Sequence, residues 1–149
     1  ARRRVIAAGL TGALLIGLSP AVAFMMANHP LEHLYFNRFA GRDMKEVKQR
    51  FEFDYWGLSY RKALEYIVRS DTSRLIRVRV INFPGVMNAL MLDDRDRRRL
   101  FFTASDADAD YFVSNYRFHP QAYPYPNEVF QVRVGNASAA SVFRLHPTR

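Results

Sequence analysis

A chain of 149 residues and 17.3 kDa is long enough for one domain with one accessory element and too short for a two-domain enzyme. Its 49% apolar and 24% charged residues can fill a core, which excludes wholesale disorder, and the lack of cysteine excludes a disulfide scaffold, a thiolate zinc site, a cysteine nucleophile and a lipoprotein anchor. Lys and Arg number 22 against 14 Asp and Glu, a formal +8, but Arg2, Arg3 and Arg4 supply three of these charges and the other 19 against 14 leave +5.

Residues 5–27 are 23 consecutive positions without a formal charge, VIAAGLTGALLIGLSPAVAFMMA. As a helix they reach roughly 34 Å, enough to cross a bilayer. Gly9, Gly12, Gly17, Ser19 and Pro20 weaken a soluble helix and are tolerated in a membrane span. A secretory signal peptide fits nearly as well: a basic start, an apolar stretch over 5–18, then Ala21-Val22-Ala23 as a cleavage site. Cleavage there leaves an apolar Phe24-Met25-Met26 end, and the chain starts with Ala1 rather than Met, which favours the span. Under either reading the arginine triplet stays cytoplasmic and everything after His29 lies outside the cytoplasm.

The segment 28–41, NHPLEHLYFNRFAG, mixes Leu31, Leu34, Tyr35 and Phe39 with His29, His33 and Asn37. It reads as a membrane-surface segment, its rings in the headgroup layer, or equally as an amphipathic segment packed on the following domain. Residues 43–49 are polar, helical or looped. FEFDYWGLSY then holds the only tryptophan, and Phe51, Phe53, Tyr55 and Trp56 cannot all face water. Over 59–69 Tyr60, Ala63, Leu64, Ile67 and Val68 repeat at helical spacing and predict an amphipathic helix.

LIRVRVI over 75–81 alternates and predicts a strand with Ile76, Val78 and Val80 inward and Arg77 and Arg79 outward. A turn at 82–85, a short helix over 86–92, a charged exit over 93–99 and strands over 100–103 and 111–115 follow. The prolines of 120–126 exclude helix. Residues 128–134 and 140–145 form a hairpin turning at Gly135-Asn136. The fold class is α/β: one N-terminal transmembrane helix, then a small domain whose mixed sheet pairs the first two strands in parallel and carries a C-terminal β-hairpin at its edge. The expected division is 1–28 for the transmembrane helix, 29–50 for a membrane-surface linker and 51–149 for an extracytoplasmic α/β domain.

Few motifs carry chemistry. Asp106, Asp108 and Asp110 open like a calcium loop, but Tyr111 and Arg117 stand where an EF-hand needs Gly and Glu. His29 and His33 are four apart without forming HExxH, and Pro30 disrupts the helix they would need. The run of alternating Asp and Arg over 93–99 reads as a solvated face, and no nucleic-acid partner is expected. Glu52 and Asp54, two apart, would share a strand face as paired carboxylates, yet no nucleophile elbow or phosphate loop accompanies them. The other reading makes FEFDYWG a packed aromatic knot with Asp54 capping the next helix or bonding a turn.

Three stretches together, HPLEHLYFNRFAG after an apolar span, FEFDYWGLSYRKALEYI and DADYFVSNYR, resemble the C-terminal region of bacterial polytopic membrane proteins similar to dolichyl-phosphate-mannose protein mannosyltransferases. In that family a last membrane helix leads into HPYxYVYFN and then FExDYWGxSYREALEW. The resemblance spans residues 5–117; Leu31 and His33 depart from its aromatic pattern, and the hairpin carries no motif to align. It implies a C-terminal fragment of an integral membrane glycosyltransferase in the bacterial inner membrane, the parent transferring a sugar from a polyprenyl-phosphate donor. The acidic catalytic residues would lie upstream, so this piece would be a non-catalytic extracytoplasmic cap. Its partners would be the bilayer, the missing N-terminal membrane domain and the polyprenyl-phosphate sugar. No cofactor is expected in the fragment, and a divalent metal in the parent stays open. The candidate interface or acceptor-facing residues are His29, Tyr35, Asn37, Glu52, Asp54, Tyr55 and Trp56. The alternative is a freestanding periplasmic or secreted α/β binding domain behind a cleaved signal peptide.

Overall fold

The structure, a computed structural model, describes residues 2–146; residues 1 and 147–149, to which the expected helix and domain extend, lie outside the described residues. Helix α1, Arg2–Asn28, is about 40 Å long and none of its residues is buried, with Leu10, Leu14, Leu15 and Ile16 all exposed. It is long and apolar enough to cross a membrane. Pro20 inside the helix cannot donate to the Ile16 carbonyl, and the Ser19 hydroxyl donates to that oxygen instead, at 2.8 Å. The helix therefore continues through its proline with no orphaned acceptor at Ile16.

Beyond a cis His29–Pro30 bond the chain makes a short 3-10 turn, Glu32–Leu34, and the interior begins immediately. Leu31 and Leu34 are fully buried in the domain core together with Val47 of α2, Met44–Arg50. Burying two leucines contributes roughly 1.5–3 kcal/mol each. Of the two readings of residues 28–41, packing on the domain accounts for these side chains, so residue 50 is no boundary of packing. The rings of Tyr35 and Phe24 meet edge to face at 5.4 Å, tying the segment back to α1. Asp43 caps α2 by accepting from the Glu46 amide at 3.0 Å.

Helix α3, Ser59–Ser70, buries Tyr60, Ala63, Leu64, Ile67 and Val68 as its spacing predicts. Strand β1, Ile76–Val80, follows, then α4, Phe83–Asn88, a 3-10 turn, Ala89–Met91, and the one-turn helix α5, Asp94–Arg97. The first of these helices begins three residues before the expected 86, because Pro84 sits in its opening turn, where its fixed φ and missing N–H cost nothing. The charged run over 93–99 is more than a solvated face. Arg99 donates to the carbonyls of Val68, Asp71 and Ser73, closing the C-terminal end of α3.

Strands β2, Leu100–Phe102, β3, Tyr111–Ser114, β4, Glu128–Val134, and β5, Ala137–Arg144, complete one mixed five-stranded sheet in the order β2-β1-β3-β5-β4. β1 pairs in parallel with β2 and with β3, while β5 is antiparallel to β3 and β4. The expected α/β class, the mixed sheet and the terminal hairpin are all present. β5 starts three residues before the expected 140. Ala137, Ala139 and Ala140 are poor strand formers by propensity, but small buried side chains there make room for the helix above.

Candidate functional site

The aromatic stretch 51–57 forms no strand, so Glu52 and Asp54 do not share a strand face. It is a turn wedged between the start of α3 and the C-terminal ends of β1 and β3. In open α/β sheets the carboxyl ends of parallel strands are where ligands usually enter; here the chain's own loop fills that position. Gly57, at φ +67, closes the turn with its amide donating to the Asp54 carbonyl at 2.9 Å, and a Cβ there would stand 2.6 Å from Pro84 Cβ. Only glycine meets both conditions.

Asp54 is fully buried and adopts φ 51, a left-handed conformation that aspartate tolerates. Its carboxylate accepts from the Ser59 hydroxyl, from the Ser59 amide at 3.2 Å and from His33 Nε2 at 2.9 Å. Asn115, just past β3, donates to the Asp54 carbonyl at 2.9 Å and accepts from Asn82, just past β1, also at 2.9 Å. One buried carboxylate thus joins the segment leaving α1, the aromatic turn and the start of α3, and its backbone carbonyl ties in the ends of two strands. This is the capping role, with the added tie to His33.

Ser, His and Asp are the side chains of a hydrolytic triad, but their order here is wrong for one. The carboxylate stands between serine and imidazole, the Ser59 hydroxyl points at Asp54 and at the Ala139 carbonyl, and Ser59 is fully buried. No base reaches the hydroxyl from a position where a substrate could meet it. Among the described residues no three metal-ligating side chains converge. Burial pushes the Tyr60 phenol, packed under Gly57 and Gly85, well above its usual range, so it remains neutral.

The rest of the turn faces outward. Phe53 is buried, but Tyr55 is 47% and Trp56 66% exposed, their rings edge to face at 5.0 Å. With Phe51 also exposed, three of the four aromatics in this stretch are turned to solvent. Arg117 lies over the Tyr55 ring at 4.0 Å and the Phe118 ring at 4.6 Å, and donates to Glu52 at 3.4 Å. Trp56 is fixed through its carbonyl, which accepts from Asn88 of α4 at 3.3 Å.

The seven expected site residues therefore separate. Asp54 is structural; Glu52, Tyr55 and Trp56 form one exposed aromatic face; His29 and Tyr35 sit at the foot of α1. His29 is exposed, pairs with Glu32, and accepts from Lys62 of α3 through its carbonyl at 3.1 Å. Asn37 lies apart in an exposed turn, its side chain accepting from the Phe39 amide at 3.0 Å. His33, Ser59, Asn115 and Arg117 were not among the expected residues although they complete the arrangement. Ser59 lies inside FEFDYWGLSY, and Asn115 and Arg117 inside DADYFVSNYR, so the signal was their place in the quoted motifs. Comparison with family models, with curated proteins and with solved structures gives no match.

Proposed function

We propose that this chain is the C-terminal part of an integral membrane glycosyltransferase of the bacterial inner membrane, consisting of its last span and a non-catalytic extracytoplasmic cap. The parent transfers a sugar from a polyprenyl-phosphate donor, with its chemistry upstream of this chain. What supports the reading is the convergence at Asp54: Ser59 and Asn115 come from two separate stretches that carry the resemblance, and His33, where this chain departs from the family pattern, adds a tie from the segment at the foot of an apolar helix. A motif that held only a local turn would not need Asn115, 61 residues away in the sequence. Asp54, Ser59 and Asn115 face inward and, with His33, hold the cap to the helix, while Tyr55 and Trp56 face outward as the surface for the missing membrane domain.

The test is transfer by membranes carrying the native full-length protein, supplied with radiolabelled polyprenyl-phosphate mannose and polyprenyl-phosphate glucose. Label is expected to reach an acceptor from one donor, and Trp56→Ala is expected to lower transfer about tenfold with the protein still present in the membrane. Transfer unchanged after deletion of residues 29–149 would refute the cap role, and no transfer from either donor would count against the enzyme reading. The alternative, a freestanding extracytoplasmic binding domain, keeps one point in its favour: cleavage after Ala23 would leave Phe24, whose ring packs on Tyr35, as the first residue of the mature domain. Mass analysis of the mature protein separates the two.

A further inference from the structure

Away from the helix foot, α2, the connection 116–126 and the β4–β5 hairpin enclose an open groove of about 830 Å3, within the usual range for a small-molecule site. One wall is aromatic. Tyr123 packs among Phe112, Tyr116 and His119 at ring distances of 4.8, 5.6 and 4.6 Å. The hydroxyls of this wall are turned into the protein, Tyr116 to Ser141 and Tyr123 to Ser114. The wall therefore offers carbon surface, and Pro120 and Pro126 stiffen the connection that carries it.

Tyr116 also has φ 61, a conformation bulky residues rarely adopt, which costs on the order of 1–2 kcal/mol. It is held there by its amide donating to the Ser114 hydroxyl at 3.0 Å, by its own hydroxyl, and by Lys48, whose Nζ lies 3.3 Å from the ring centre. One of the two described non-glycine residues at positive φ thus lines this groove, the other being Asp54. The groove is also lined by Gln131, Arg133 and Asn136; Gln131 donates to Glu128 at 2.6 Å and accepts from Arg133 at 3.4 Å, and Asn136 accepts from the Lys45 amide at 3.2 Å, so their remaining donors and lone pairs are what a ligand would meet. Four cationic and three acidic side chains line the groove and nearly cancel, which suits a neutral ligand better than a polyanion.

An extended peptide would normally bind by adding a strand to the sheet edge. β4 is the outermost strand on this side, but its pairing with β5 shifts register twice, between Glu128 and Phe130 and between Val132 and Arg133. Such irregular edges resist in-register strand addition. The ligand that fits combines C–H faces, to lie on tyrosine rings, with hydroxyls, to meet amide and guanidinium groups. We propose that this groove binds a neutral oligosaccharide. The argument rests on the groove alone and does not depend on the glycosyltransferase reading.

The full chain, held in phosphatidylcholine nanodiscs to avoid sugar-headed detergents, is titrated with mannotriose, cellotriose and chitotriose while amide resonances are followed by NMR. A separate titration uses an uncharged ten-residue peptide. The expected result is saturable shifts at Tyr116, Tyr123, Gln131 and Asn136 with at least one trisaccharide, weakened about fivefold by Gln131→Ala and by Arg133→Ala, the loss of one hydrogen bond each. Both variants change residues outside the core and are expected to retain the wild-type spectrum elsewhere. Shifts with the peptide alone, shifts outside the groove, or none with any trisaccharide would overturn the proposal.

Discussion

Replacing Asp54 by alanine removes the carboxylate on which three parts of the chain meet. The losses are unequal. The Ser59 hydroxyl retains the Ala139 carbonyl at 3.3 Å as an acceptor, and His33, with a side chain 21% exposed, can turn to water. The Ser59 amide, however, opens α3 in a fully buried position and has no other acceptor in reach, a cost of about 1–3 kcal/mol. Alanine at φ 51 adds about 1–2 kcal/mol, and the lost tie to His33 about 1 kcal/mol more. The sum is about 3–6 kcal/mol, which for a domain of this size lowers Tm by roughly 10–30 °C. Asp54→Asn keeps an acceptor oxygen and tolerates the left-handed backbone, so its loss is expected near 1–2 kcal/mol. Thermal unfolding in nanodiscs is followed by the fluorescence of Trp56, the only tryptophan, two residues away. An alanine variant within about 3 °C of the wild type, or an asparagine variant as damaging as alanine, would show that Asp54 does not hold this junction.

Three further outcomes are expected. Gly57→Ala should cost about 2–4 kcal/mol in the same assay, combining positive φ with the contact to Pro84. Gly9→Ala in α1, where an added Cβ meets nothing within 4 Å, should leave Tm unchanged and serves as the control. Burial pushes Lys48 down to about 8, against the pull of Glu128, whereas an unfolded chain holds that proton to about 10.4. Between these values the unfolded state binds more protons, so stability should rise from pH 8 to pH 10 and the rise should vanish in Lys48→Met. Above pH 10 the sign reverses, because burial, reinforced by Asp71 beside Tyr111 and Asp106 beside Tyr125, pushes both phenols up to about 12. Finally, the chain should remain with membranes after alkaline carbonate extraction through residues 5–27; recovery as a soluble protein beginning near Phe24 would contradict the span.

Much of the fold was readable in the sequence because its signals are local. The alternation of Ile76, Val78 and Val80 and the helical spacing of Tyr60, Leu64 and Ile67 each fall within a few residues, and all of these side chains are buried except Val80, which is half-buried against the core. The junction was less readable, since Asp54 meets His33 across 21 residues and Asn115 across 61, and no periodicity links such positions. Capping by Asp54 was foreseeable from Ser59 five residues on; the tie to His33 was not. Nor could composition say which of four neighbouring aromatics would be buried. Phe53 is, while Trp56 is held outward by a turn whose shape depends on Gly57 and on Pro84 from a distant helix. Tyr116 was hidden for a related reason: its backbone conformation is imposed by contacts with Ser114, Ser141 and Lys48, which come from three different elements or their ends.

The proposal that this chain is the last span and cap of a larger membrane enzyme is tested most directly by reading the native gene upstream of the Ala1 codon. The account predicts several further apolar spans in frame, with an acidic extracytoplasmic loop among them. A start codon immediately before Ala1, with nothing in frame beyond it, would contradict the account and return the question of function to the surface of this one small domain.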